Sequence, residues 1–363
     1  MSVTTHERPG VYSAYDASSV ISGSDGRKTV GLVAVNTVAQ AGTAVTVTSA
    51  EQAVTVFGST GGEDMANLIR LALKNGAAKV VALPIADASG YADAFAQMGG
   101  MEEIQVMICG STEQTVQQAM RDTIQEASQT RLERIGVVAG GAEESAENLV
   151  KRAAALNSER MVLVAPGGAD ASGAAMSGLT VAAAVAGAIA GSLDPAVPLG
   201  GAVLKGLAGL EKRYDDNTLD LLIQGGVTAV ESFNGQVSVV RGITTRTTTE
   251  GAADKTWREL TTILIVDDVI PSIRAALKSK FQRSKNTEQT RGGIRSQVIL
   301  ELENKLAREI ITGYENVKVS ADSENPTVCL VDFSFTVAHG LNQIWVSAHI
   351  TVYVEQARRN TKA

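Results

Sequence analysis

Histidine and cysteine are scarce in this chain, with three and two copies in 363 residues. His339 and His349 have no cysteine or carboxylate at ligand spacing, so no metal centre is expected. Cys109 and Cys329 each sit inside an apolar run, which points to buried free thiols and a reducing compartment rather than a disulfide framework. Phosphate-cradling patterns are missing too. No two of the 35 glycines are separated by a single residue, which excludes G-x-G-x-x-G, and neither G-x-x-x-x-G-K-[ST] nor G-x-S-x-G occurs. Gly140-Gly141 and Gly167-Gly168 do follow strand-like runs, but glycines at such turns are usually backbone solutions to positive φ. No catalytic constellation and no cofactor is expected.

Charge excludes a further class. The net charge is −7, from 32 basic and 39 acidic residues, which argues against a general nucleic-acid binder. The N-terminus carries no apolar signal segment. Ala171 to Leu193 is uncharged and contains Gly187-x-x-x-Gly191, yet it is mostly Ala, Gly and Ser. That composition favours a tightly packed small-residue helix over membrane insertion.

What is present is alternation. Residues 29–250 switch between short apolar runs and amphipathic runs. Strands are expected at Thr29–Val35, Lys79–Pro84, Ile104–Ile108, Ile135–Ala139 and Met161–Val164. Helices are expected over Glu63–Asn75, from Ser111 or Thr112 to about Arg134, and over Glu143–Leu156. This order implies an α/β, doubly wound, mainly parallel sheet. From residue 251 the pattern reads as a smaller α+β domain. It predicts a strand at Leu260–Val266, a helix opened by Asp267, Asp268 and Pro271 that runs through Phe281, a second helix at Ile294–Thr312, and strands at Thr327–Val337 and Ile344–Val354. Asp267 and Asp268 then read as capping acids.

The two ends read as extended, strand-donating arms, residues 1–28 and 344–363. Arg8-Pro9-Gly10-Val11-Tyr12 leads into a short extended piece before the polar run Ser18–Lys28. Ile344, Val346, Ala348, Ile350, Val352 and Val354 share one strand face. A hydrophobic terminal strand must find a sheet, in its own subunit or in a neighbour. Charge is polarised as well: Arg274, Lys278, Lys280, Arg283, Lys285, Arg291 and Arg295 face a single acid, Glu288, over one stretch. Only Phe281 is available there to stack on a base, so an acidic protein surface suits it better than nucleic acid.

Several segments resemble one family, the tail sheath proteins of contractile phage tails and phage-tail-like particles. Arg8-Pro9-Gly10-Val11-Tyr12 resembles the family's opening and Thr29–Asn36 its first core strand. Val47-Thr48-Ser49 through Phe57-Gly58, then Leu68–Leu73, Asn75-Gly76-Ala77 and Val80-Val81, resemble its most recognisable block. Gly225-Gly226-Val227, Gly235, Val240-Arg241-Gly242, Trp257-Arg258-Glu259-Leu260 and Trp345-Val346-Ser347 follow in order. The resemblance implies a structural subunit, not an enzyme, that polymerises as stacked hexameric rings around an inner tube and contracts to drive the tube through a target envelope. It implies assembly in the bacterial cytoplasm into a tail or tail-like particle, with the tube, baseplate and tail terminator proteins as partners. Pro9 to Tyr12 and Ile344, Val346, Ile350 and Val352 would be the inter-subunit arms; Arg274, Lys278, Lys280, Arg283 and Lys285 are candidates to face the tube. The alternative is a soluble α/β nucleotide-binding protein or enzyme.

Overall fold

In the computed structural model, residues 28–59, 61–342 and 344–349 are described. The chain opens with β1 (Thr29–Val35), β2 (Val45–Val47), α1 (Ala50–Phe57), α2 (Met65–Lys74), β3 (Lys79–Ile85) and α3 (Tyr91–Gly99). Then follow β4 (Ile104–Cys109), α4 (Gln114–Gln129), β5 (Ile135–Ala139), α5 (Ala146–Leu156), β6 (Met161–Ala165), β7 (Gly168–Ala169) and α6 (Leu179–Gly191). Short strands β8 (Val203–Leu204) and β9 (Gly209–Leu210) lead to α7 (Asp216–Gln224) and the hairpin β10 (Val227–Phe233) and β11 (Gln236–Val239). A small hairpin, β12 (Thr248–Thr249) and β13 (Ala252–Ala253), precedes α8 (Leu260–Phe281), α9 (Glu288–Ala307), β14 (Ile311–Ala321) and β15 (Cys329–Val337).

Nine strands form one sheet in the order β2-β3-β1-β4-β5-β6-β10-β11-β8, and the run from β3 to β10 is parallel. The strands alternate between two cores. In β1, Val30, Leu32 and Ala34 face the core built with α1, α2 and α6, while Val33 faces the core built with α3, α4 and α5. In β6, Val162 and Val164 face the first and Met161, Leu163 and Ala165 the second. Burial on both faces explains why these strands read as continuous apolar runs.

The small-residue segment is α6, a helix buried nearly all round and pressed against α2. A Cβ on Gly187 would lie 2.3 Å from the Ala72 carbonyl oxygen, and one on Gly191 2.8 Å from the Gly76 Cα. The G-x-x-x-G pair thus lets two backbones touch inside the packed core. Among the described residues no helix is long and apolar enough to cross a membrane.

The smaller C-terminal part differs from the sequence reading in three places. Leu260–Val266 is not a strand but the first two turns of α8, with Leu260 through Ile265 all buried. α8 leaves the first core through Leu260, Ile263 and Leu264 and enters a third through Ile265, Val269 and Ile273. A segment enclosed on every side loses its helical stripe, so its periodicity matches a strand. α9 begins at Glu288, capped by Thr287, and a strand unseen in the sequence, β14, follows it. β14 pairs with β15 in an antiparallel sheet of two.

Substituting Gly187→Val is expected to destabilise the chain by about 2–3 kcal/mol, since neither α2 nor α6 can back away. Thermal unfolding checks this; an unchanged melting temperature would contradict the packing account.

Candidate functional site

Ligands of open α/β sheets bind outside the carboxyl ends of the strands, where the strand order reverses. Here the reversal lies between β1 and β4. The Gly110 N–H donates to the Val33 carbonyl at 2.8 Å, and a Cβ on Gly110 would come within 2.6 Å of the Ala34 Cβ. The two segments are in direct contact at this point. After β5, the Gly141 N–H donates to Glu144 Oε2 at 2.8 Å, and Arg152 holds that carboxylate with two bonds of 3.1 and 2.9 Å. Nearby, the Glu143 N–H donates to Glu211 Oε2 at 2.7 Å. The amides a phosphate would use already carry the chain's own carboxylates. Burial pushes the Cys109 thiol up to about 12, so it is no nucleophile. No group of three or more His, Cys, Asp or Glu among the described residues is placed to hold a metal ion.

The surface with unmet bonding capacity is at the other end. β14 and β15 bulge at Gly313 and again between Glu315 and Lys318. Val331, Phe333, Phe335 and Val337 turn toward Ile265, Val298 and Leu302 of α8 and α9, and Phe333 stacks on Phe335 at 6.3 Å. Leu330, Asp332, Ser334 and Thr336 face out. No third strand joins this hairpin among the described residues, so both long edges keep unpaired N–H and C=O groups.

Beyond β15, Gly340 packs on Pro198 and the chain then runs outward. Ile344, Trp345 and Val346 are 76%, 89% and 85% exposed. The residues alternate in sequence, but 344–349 are all exposed and form no strand among the described residues. Ile350 and Val352, like Pro9, Gly10, Val11 and Tyr12, lie outside the described residues.

The basic stretch does not form one face. Arg274 pairs with Glu133 of the α/β part at 2.9 Å. Arg295 donates to the Val317 carbonyl and Arg291 to Asn286, both at 2.9 Å, which ties α9 to its surroundings. Lys278, Lys280, Arg283 and Lys285 remain exposed at the α8–α9 tip, with Lys280 also donating to Gln297 at 2.6 Å. Asp267 and Asp268 are not caps. Both lie mid-helix in α8, where Arg160 grips Asp267 with bonds of 2.7 and 2.9 Å and Lys305 of α9 pairs with Asp268.

Sequence reasoning missed this cluster, because Arg160 and Asp267 are 107 residues apart. It also missed Arg134, which is 1% exposed and donates to the Met98 and Met101 carbonyls at the end of α3. No local pattern flags either one.

Two family models match the chain: the phage tail sheath protein central domain over residues 86–245 and the phage tail sheath C-terminal domain over 252–351. The tail sheath protein of Bacillus phage SP01 is 31% identical over 218 residues, which is 58% of this chain. The chain spans only 37% of that relative's length. A crystal structure of a sheath tail protein from Desulfitobacterium hafniense matches with a TM-score of 0.68 at 14% identity, over 90% of this chain and 100% of that one. The helical sheath of the anti-feeding prophage in its contracted state matches at 0.69 and 18% identity, over 98% and 100%. These two share the fold.

Arg160→Leu would leave Asp267 charged and enclosed, at an expected cost of about 3 kcal/mol near pH 7. Burial already holds the Asp267 carboxyl above its usual range, against the pull of Arg160. A raised folded-state value means protonation favours the folded form. Removing Arg160 raises that value further, so the deficit relative to the parent chain should be full above the variant's folded-state value and be lost as pH falls through it to the parent's, below which Asp267 is protonated in both. Denaturant titrations at several pH values check it; a deficit independent of pH would contradict it.

Proposed function

The chain belongs to the phage tail sheath family, and from that premise we propose that it is a structural subunit of a contractile sheath whose copies are joined by exchanged strands. Rings of six copies, stacked helically around an inner tube, shorten and widen to drive the tube through a target envelope. The baseplate and the tail terminator bound the polymer, which is built in the bacterial cytoplasm.

The observation that carries this reading is a complementarity. A hairpin with two open edges and a strongly exposed Ile344-Trp345-Val346 segment occupy the same small molecule. Strand addition satisfies both at once: main-chain hydrogen bonds supply affinity, and pockets for alternate side chains supply register. Burying Ile344, Val346, Ile350 and Val352 on a neighbour would contribute roughly 6–12 kcal/mol as an upper bound. Pro9, Gly10, Val11 and Tyr12 would extend the same scheme from the other end. The exposed cations Lys278, Lys280, Arg283 and Lys285 are the proposed tube-facing group. Arg274 is spent within the molecule on Glu133. Exposed ion pairs contribute about 0–1 kcal/mol each. Tube contacts can therefore break while the exchanged strands hold. The nucleotide-binding alternative draws no support from turns occupied by Glu144 and Glu211.

Two outcomes are expected. Ending the chain after Gly340 should give a soluble, folded subunit that forms no long polymers under the electron microscope; polymers of ordinary length would remove the arm from the account. Reversing Lys278, Lys280, Arg283 and Lys285 to Glu should weaken co-assembly with tube while tubeless polymers still form. Unchanged co-assembly would remove the charge contact.

A further inference from the structure

The nine-stranded sheet has two outer edges, β2 and β8, and a side-chain carboxamide meets the backbone at each. On the outer side of β2, away from β3, the Thr46 carbonyl accepts from Gln52 Nε2 at 3.0 Å, and the Thr48 N–H donates to Gln52 Oε1 at 3.0 Å. A residue of a parallel strand opposite Val47 would make the same two bonds, one to the residue before and one to the residue after. Gln52 lies in the first turn of α1, where its own N–H donates to the Ser49 Oγ at 3.2 Å. In an S-x-x-Q cap the glutamine side chain ordinarily returns to the N–H of the capping serine. Here it reaches past the helix to β2 instead.

The far edge repeats the device with another residue. The Val239 N–H donates to the Ala202 carbonyl at 3.0 Å, so Ala202, and by alternation Leu204, face β11. The backbone groups of Lys205, the residue after β8, point to the open side. Both are taken by Asn75, which follows α2: the Lys205 N–H donates to Oδ1 at 2.7 Å and its carbonyl accepts from Nδ2 at 2.9 Å. An antiparallel partner opposite Lys205 would make that pair of bonds. The β14–β15 hairpin is treated differently. Arg295 donates to the Val317 carbonyl at a bulge, but among the described residues no N–H of β14 or β15 donates to a side chain.

We propose that Gln52 and Asn75 are specificity-determining residues for strand exchange between copies of this chain: their carboxamides stand in for further strands, close the sheet to an incoming segment and leave β14–β15 as the edge that takes it. A strand arriving at β2 or β8 must first displace a carboxamide and return it to water, so it exchanges bonds rather than adding them. On the hairpin each main-chain bond is new. The identity of the incoming segment rests on the exchange reading above, whereas the closure rests on the bonds of the sheet itself.

A photo-reactive peptide with the sequence of residues 344–354 and a lysine tail is the probe. It is added to the unassembled full chain, and the labelled positions are read by mass. On the parent chain, label is expected on β14–β15 and not on residues 45–48 or 203–206. Gln52→Ala keeps the Ser49 cap, which uses the backbone N–H of residue 52, and places the best helix former in α1. Label at 45–48 should then rise about fivefold, the weight of one or two hydrogen bonds. Asn75→Ala should do the same at 203–206. Label on either edge of the parent, or no gain in the variants, overturns the closure; if one variant does not fold, the other decides alone. Hairpin label without a gain at the edges refutes the closure and leaves the exchange reading standing. A gain at the edges without hairpin label supports the closure and removes the hairpin from the exchange reading.

Discussion

A long β14–β15 hairpin that gains no third strand among the described residues is the feature on which the rest of this structure turns. The nine-stranded sheet ends on short strands, β2 of three residues and β8 of two, which blunts its edges as soluble proteins usually do. The β14–β15 hairpin has no such protection. Its strands are eleven and nine residues long, its inner face carries Phe333 and Phe335, and it has no third strand among the described residues. An isolated pair of strands is marginal in water unless something packs on it. α8 and α9 cover one face, and the edges stay available.

The larger part of the chain supplies a rigid mount for that hairpin. Two cores sandwich the parallel sheet, α6 locks to α2 through glycine contacts, and α8 extends from the first core into the third. One uninterrupted helix therefore transmits the orientation of the sheet to the hairpin. The enclosed ion pair of Arg160 with Asp267 helps set where α8 rests. Such pairs are weak sources of net stability but costly to break singly, which suits a contact that must hold one arrangement. The cations at the α8–α9 tip, exposed and screened by salt, are free to make contacts that come apart.

Much of this was legible in the sequence because both-sided burial writes itself as apolar runs. β1, β3, β4, β5 and β6 stand where those runs stand, and Gly76 follows α2 at positive φ. Elsewhere tertiary context overrode the local signal. Leu260–Val266, rich in Thr, Ile and Val, became helix because two cores enclose it. β14 was hidden by two bulges and by Glu315, Asn316 and Lys318, which break the alternation. Gly292 and Gly293 disguised the first turns of α9. The Arg160–Asp267 pair was illegible, since no periodicity joins residues so far apart. Ile344–His349 is the instructive case: its pattern is that of a strand, yet among the described residues it joins no ladder.

Mixed-label cross-linking is the most direct measurement of the central claim. Isotopically heavy and light chains, each with a photo-cross-linker in place of Trp345, are mixed before assembly, and the bonds from position 345 to the β14–β15 hairpin are read by mass. Exchange between copies gives abundant heavy–light pairs. Pairs that are exclusively heavy–heavy or light–light would place the segment on its parent hairpin and contradict the account.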